Sequence, residues 1–113
     1  MNDYVCLIQE GQVADQHREA LAEGLKKIGS ECFGDDAGAT EIDWVVVRKG
    51  FGFKAEGLNT SSAVVQRSVP VGFPQDQREV FLKNVCDFWQ QKTGCSVNEI
   101  LVVTWDGPLP IQL

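Results

Sequence analysis

The 113-residue chain contains one pattern twice, about sixty residues apart. The segment DQHREAL at residues 15–21 is followed by DQREVFL at residues 76–82. Because self-similarity at a fixed period indicates repeated structural units, we expect one domain over residues 1–113 with internal repeats at about 3–48 and 62–106. The pairs that agree in character at this spacing are Val5 and Val65, Arg18 and Arg78, Glu19 and Glu79, Leu21 and Phe81, Leu25 and Val85, Ile28 and Phe88, and Gly34 and Gly94.

Each copy is predicted to contain a strand, a helix and a second strand. The β-rich runs DYVCLIQ and SAVVQRSV come before the helices, and runs ending in WVVVRK and ILVVTW come after them. Gly34 and Gly94 are stop signals, and Pro74 fits the first helical position of the second helix. Apolar residues recur at helical spacing between these signals: Leu21, Leu25, Ile28 and Cys32 in the first copy, and Phe81, Val85, Phe88 and Trp89 in the second.

This order predicts an α+β fold of two tandem βαβ units. Each unit has parallel strands joined by a right-handed crossover, so the two form a four-stranded sheet with both helices on one face. The strands that follow the helices are almost continuously apolar, which is typical of strands covered on both faces. Since the chain has no third helix, we expect a second copy of the chain to cover the other face, and therefore an obligate homo-oligomer.

Composition narrows the possible partners and the compartment. Ten basic against sixteen acidic side chains give a net charge of −6, which argues against a nucleic-acid partner. No apolar run is long enough for a membrane span. The first residues carry Asp3 and no positive flank, unlike a signal peptide, so a cytoplasmic location is expected.

The sequence predicts neither a metal site nor a cofactor. The four cysteines form no C-x-x-C pair, and His17 is the single histidine. The GFGF segment precedes no helix, so it does not fit a nucleotide-binding loop. Three cysteines are interpreted as small buried hydrophobes and Cys95, next to Gly94, as the exposed one; the three are Cys6, Cys32 and Cys86.

The connection between the two copies, KGFGFKAEGLNTSS at residues 49–62, is long for a loop. It carries Phe51 and Phe53, which need to be covered. Packing at the oligomer seam is favoured over ligand contact for these two rings.

Several segments together resemble the tautomerase superfamily. They are the opening YVCLIQEG followed by a helix, the strand TSSAVVQRSVPVG leading into the second helix, and TGCSVNEILVV before the last strand. The resemblance implies trimers of double units or hexamers of single ones, which agrees with the predicted oligomer and makes it a homotrimer. It also implies proton transfer on small 2-oxo acids by an N-terminal proline exposed after removal of methionine, with arginines or backbone N–H groups holding the carboxylate.

The first residues depart from that pattern, because Asn2 stands where the resemblance places proline. Asparagine has no titratable amine in its side chain and is too large for efficient removal of Met1. A primary α-amine with a pKa of about 7.7–8.0 can still act as a base, but one extra residue moves it by about 3.8 Å. Met1 and Asn2 are therefore the candidate catalytic positions, with altered or lost chemistry.

The candidate substrate-binding residues are Arg67, Ser68 and Trp105. Pro70 and Phe73 occupy the places where the resemblance implies arginines, which leaves Arg67 as the cation of that strand. Ser68 falls where a backbone N–H would contact a carboxylate, and Trp105 resembles an aromatic wall of the pocket. An intersubunit salt bridge is an equal alternative for Arg67, and a core or seam position is favoured for Trp105.

Three functions stay open at this point. The first is an isomerase-like enzyme that acts on or binds small 2-oxo or carboxylate compounds by modified chemistry. The second is a non-catalytic trimeric binding or scaffold protein. The third is a ferredoxin-like regulatory module that binds small molecules, because the order βαββαβ describes that fold as well.

Overall fold

The computed structural model describes residues 3–11, 13, 15–48, 51 and 62–109. It confirms the predicted order of strand, helix and strand in both halves. Short 3₁₀ turns at Ala37–Ala39 and Val97–Glu99 lead into the second strand of each half. The elements are β1 (Tyr4–Gln9), α1 (Asp15–Phe33), β2 (Ile42–Val47), β3 (Ala63–Val69), α2 (Gln75–Thr93) and β4 (Ile100–Asp106).

The four strands form one mixed sheet in the order β2-β1-β3-β4. Strands of the same half pair in parallel, as the crossover helices require. The halves join at the centre through antiparallel pairing of β1 with β3, in which Tyr4 lies opposite Arg67 and Leu7 opposite Val64. The chain therefore has the predicted α+β architecture.

Both helices pack on the same face of the sheet. Alternate residues of the central strands point to this face, among them Cys6 of β1 and Val65 of β3. They join one core cluster with Leu21 and Leu25 of α1 and with the apolar stripe of α2, Phe81, Val85 and Trp89, all of them fully buried. The helical faces predicted from spacing are thus confirmed, and each such aliphatic side chain contributes about 1.5–3 kcal/mol by its burial.

The ends of the helices differ slightly from prediction. Pro74 has an extended conformation with ψ of 138° and is the N-cap of α2, so the helix begins one residue later, at Gln75. Gly94 ends α2 with φ of 72°, a left-handed conformation in which its N–H donates to the carbonyl of Gln90. Gly34 follows α1 in the same conformation.

The face of the sheet opposite the helices, called the open face below, exposes large apolar side chains along β4 in the single chain, while Val5 and Gln66 at its centre are buried. Leu101 and Trp105 lie one and three residues from the core residue Val102 in β4, and at these odd spacings their side chains point away from the helices. Leu101 is 57% exposed and Trp105 42%, which is high for side chains of this size on a sheet. The connection at residues 49–62 lies outside the described residues, except for Phe51, which is exposed, and Ser62. Phe53 is among those outside.

The cysteines do not divide as predicted. Cys6 is buried, and desolvation raises the pKa of its thiol. Cys32, Cys86 and Cys95 are all half-buried, so exposure does not set Cys95 apart. The backbone N–H of Cys95 donates to the hydroxyl oxygen of Thr93 at the end of α2.

Candidate functional site

A buried arginine lies at one end of the layer between the helices and the sheet. Arg67 is 4% exposed, because the alternation of β3 points its side chain toward the helices. Its guanidinium packs over two aromatic rings, 4.9 Å from the centre of the Tyr4 ring and 4.6 Å from that of Phe33. Both distances are within the range of cation–π contact.

The edge of this guanidinium is occupied by Asp35, two residues beyond the end of α1. Nη1 donates to Oδ2 of Asp35 at 2.6 Å and Nη2 donates to Oδ1 at 3.0 Å, which is a bidentate ion pair. Nε donates to the carbonyl oxygen of Ser68 at 2.7 Å. Burial alone would lower the pKa of Arg67, but the hydrogen bonds that it donates to Asp35 and the neighbouring charges outweigh burial, so the pKa lies above its ordinary value.

Two further residues complete this cluster. The hydroxyl of Tyr4 donates to the carbonyl of Leu25 at 2.8 Å, and burial raises its pKa against the opposing effect of Arg67. Gly29 of α1 lies directly beside the ion pair. A Cβ atom at this position would be 2.6 Å from Oδ2 of Asp35 and 2.9 Å from Nη1 of Arg67, so the pair needs glycine here.

A cleft of about 320 Å³ opens above the cluster. It lies where the start of β1 meets the ends of β3 and β4, because β1 runs antiparallel to both of the others. Arg67 and Asp35 lie in its lining with the ring of Phe33, and Asp3, Ser68 and Pro108 form other parts of the wall. The lining thus combines one cation, two carboxylates and an apolar surface.

Ser68 is held by hydrogen bonds at the rim of this cleft. Its backbone N–H donates to the carbonyl of Asp3 at 2.9 Å, and its hydroxyl donates to the carbonyl of Gly107 at 2.8 Å. These bonds join the ends of the three strands. They fix the shape of the cleft through backbone groups that carry no net charge.

Comparison with solved structures identifies the fold. Native Ps01740 matches with a TM-score of 0.85 at 26% sequence identity, covering 93% of both chains. Pt0534 inactivated by 2-oxo-3-pentynoate matches at 0.83 and 17% identity, covering 93% of this chain and 85% of that one. The symmetric trimer of fused 4-OT matches at 0.81 and 14% identity, with the same coverage of the two chains. The chain has the tautomerase-superfamily fold. No family model matches the sequence, and no curated protein matches it significantly.

Two of the five predicted site residues meet at the cleft of this tautomerase fold. Arg67 and Ser68 both line it. Trp105 lies on the open face of the sheet instead, where its indole N–H donates to Oε1 of Gln66 at 3.2 Å. Met1 and Asn2 lie outside the described residues, and the adjacent Asp3 lines the cleft.

Sequence reasoning missed the residues that surround Arg67 in the tautomerase fold. Asp35, Tyr4, Phe33 and Gly29 were not candidates, although Asp35 carried one usable signal. It is an acidic residue directly after the glycine stop of the first helix, where the second copy has Cys95. Within the described parts of the chain, no cluster of three or more metal-binding side chains occurs, and neither helix is long and apolar enough to cross a membrane.

Proposed function

We propose that the protein binds small 2-oxo or carboxylate compounds in the cleft at the strand ends, with proton-transfer chemistry that is altered or lost. The observation that carries the proposal is the cleft itself, which has a volume of about 320 Å³ and is lined in part by the guanidinium of Arg67 and the aromatic ring of Phe33. A cleft of this size, with few polar groups and an apolar wall, is suited to binding a small ligand. Arg67 and Ser68 are its proposed contacts.

The choice of ligand class is supported by structural similarity. Pt0534, which shares the fold at a TM-score of 0.83, is inactivated by a 2-oxo compound. The sequence resemblance points to the same class. An isomerase-like activity on such compounds is therefore the reaction to test first, and a cytoplasmic location stays a prediction.

The expected change in chemistry rests on the residues at positions 1 and 2. Met1 and Asn2 would supply a primary amine or none, in place of the secondary amine of proline. A positioned base is typically worth about 10²–10⁴-fold in rate. A displaced or absent amine would therefore leave binding in place and remove most of the turnover.

We propose a homotrimer as the functional assembly. The apolar open face, with Leu101 and Trp105, needs cover that the described part of the chain does not supply. Fused 4-OT, which shares the fold, was solved as a trimer. Light scattering should give three times the chain mass of 12.5 kDa, and a monomer at micromolar concentration would contradict the assembly.

A non-catalytic trimeric scaffold is the second candidate. It is favoured by the state of the polar groups at the cleft, since Arg67 is already paired with Asp35 and the N–H of Ser68 is bonded to Asp3. Groups that are satisfied within the chain have less to offer a ligand. The same cleft would then be a stabilising feature.

Substitution at position 2 separates the two candidates. In a chain expressed from Met1, Asn2→Pro should permit removal of Met1 and present a secondary amine, and Asn2→Ala is the matched control that permits removal but presents a primary amine. Intact-mass spectrometry establishes the processing of each. Ketonisation of the enol of phenylpyruvate should rise about 10²–10⁴-fold in Asn2→Pro over the parent chain.

The control decides what any gain means. An equal gain in Asn2→Ala would assign the effect to the shorter chain and not to proline. A processed, trimeric Asn2→Pro variant that neither binds nor turns over phenylpyruvate or its methyl ester would leave the scaffold as the better function.

A further inference from the structure

The hydrogen bonds that Arg67 makes within the chain limit which ligands the cleft can bind. A carboxylate binds arginine most strongly through two parallel N–H donors on one edge of the guanidinium. In this protein Asp35 already occupies both donors of that edge, at 2.6 and 3.0 Å. The carbonyl of Ser68 takes the Nε donor as well.

Two aromatic rings also take up space around the guanidinium. Tyr4 and Phe33 lie 4.9 and 4.6 Å from it, which leaves less room for a ligand to stack on it. On the helix side, the ion pair packs directly against Gly29. The carboxylate of Asp35 and the guanidinium of Arg67 fill the space that a side chain at this position would need. An incoming carboxylate would have to displace Asp35 and leave a carboxylate of 20% side-chain exposure without its cation.

The net charge of the cleft also disfavours binding of a carboxylate. Its lining contains the carboxylates of Asp3 and Asp35 against the single guanidinium of Arg67. The described lining therefore has one excess negative charge, which repels a further anion at this range. An uncharged carbonyl compound meets neither the repulsion nor the need to displace Asp35.

We infer that Asp35 is a specificity-determining residue of this cleft, which makes it select uncharged 2-oxo compounds, such as esters, over the corresponding free acids. The inference rests on the proposed function, which places a small 2-oxo or carboxylate ligand in the same cleft. Asp35 acts as an internal carboxylate that holds the place on Arg67 that a ligand carboxylate would use.

Two probes test the inference on the unmodified protein. Benzoylformate and its methyl ester share one aryl 2-oxo group, differ in charge, and lack an enolisable hydrogen, so binding is measured without turnover. Calorimetric titration should give a Kd for the ester that is lower than that for the acid by about tenfold. A preference of the parent protein for the acid would overturn the inference and leave the proposed function standing.

Substitutions then assign the preference to one residue. Asp35→Asn keeps the shape and one acceptor but removes the charge, so the Kd of benzoylformate should fall by about tenfold. Asp36→Asn is the matched control, because it makes the same change one residue away, at an exposed carboxylate that accepts from the backbone N–H of Gly38. Its Kd for benzoylformate should change by less than about twofold.

A double variant shows whether the guanidinium of Arg67, once it is no longer paired with the carboxylate of Asp35, binds the acid. Asp35→Asn combined with Arg67→Met removes both charges, and the gain in affinity for the acid should disappear. Equal gains in Asp35→Asn and Asp36→Asn would show an effect of net charge alone and would overturn the assignment to Asp35. If Asp35→Asn does not give a native circular dichroism spectrum, the comparison of ester and acid in the parent protein decides the inference. If neither probe binds to any variant, the proposed function is wrong together with the inference.

Discussion

The two ends of the helix layer are built in different ways. At the end near the cleft, Gly29 of α1 leaves space for the ion pair of Arg67 and Asp35. Sixty residues later, the matching position of α2 is Trp89, which is fully buried and packs 6.2 Å from the ring of Trp44. The same position of the repeat is thus a glycine packed against an ion pair in one half and a buried tryptophan side chain in the other.

The residues around these positions differ in the same way. The shift that places Trp89 on Gly29 places Cys95 on Asp35, and Cys95 packs against the apolar core. A buried ion pair adds little stability over well-packed apolar residues of the same volume. The charged end is also the end that carries the cleft, which indicates that its residues shape the cleft more than they stabilise the fold.

The apolar end should give the largest loss of stability when it is truncated. Trp89→Ala removes a fully buried side chain and should lower the free energy of unfolding by about 3–5 kcal/mol, measured by urea denaturation. Trp89→Phe is the control, and it should lose far less, because the indole N–H has no hydrogen-bond partner among the described residues. Equal losses in the two variants would show that the position depends on the indole and not on its volume.

The charged end should respond to loss of one partner. Asp35→Ala leaves the guanidinium of Arg67 buried without its carboxylate, and we expect a loss of roughly 2–3 kcal/mol, below the 3–5 kcal/mol of a fully buried pair because Asp35 is partly exposed. The neighbouring Asp36→Ala removes an exposed carboxylate and should cost less. Denaturation midpoints that fall together in both variants would contradict a special role for Asp35.

Gly29 should show the smallest of the three effects. Gly29→Ala places a methyl group 2.6 Å from Oδ2 of Asp35, so the pair must shift, and the loss should be about 1–2 kcal/mol. In the Asp35→Ala background the same substitution should cost less, because the nearest atoms are gone. Additive losses in this double-mutant cycle would show that Gly29 does not act through the ion pair.

The fold could be predicted from the sequence because its signals are local. The helical spacing of Leu21 and Leu25, and of Phe81 and Val85, gave the faces that the structure buries. The register of the strands was less accessible. A shift of sixty aligns Val5 with Val65, but only Val65 belongs to the core cluster, since both faces of these strands are apolar and the pattern does not distinguish them.

The site was predictable only as far as single residues stand out. Arg67 is the one cation on an apolar strand, and this made it a candidate. Its partner Asp35 lies 32 residues away in the connection after α1, and the two meet only when the end of α1 packs against the end of β3. The face on which Trp105 lies depends on the same strand register and could not be read from the apolar run of β4.

The two repeats belong to one covalent chain and pair with each other through β1 and β3, and this changes how the protein can vary. An assembly of identical single-repeat chains has to carry the same residue at every equivalent end, so a substitution suited to one end is imposed on all of them. Joined repeats mutate independently, and Gly29 and Trp89 are one such divergence. In the proposed trimer, three ends would be free to specialise for a ligand while the other three keep the assembly stable.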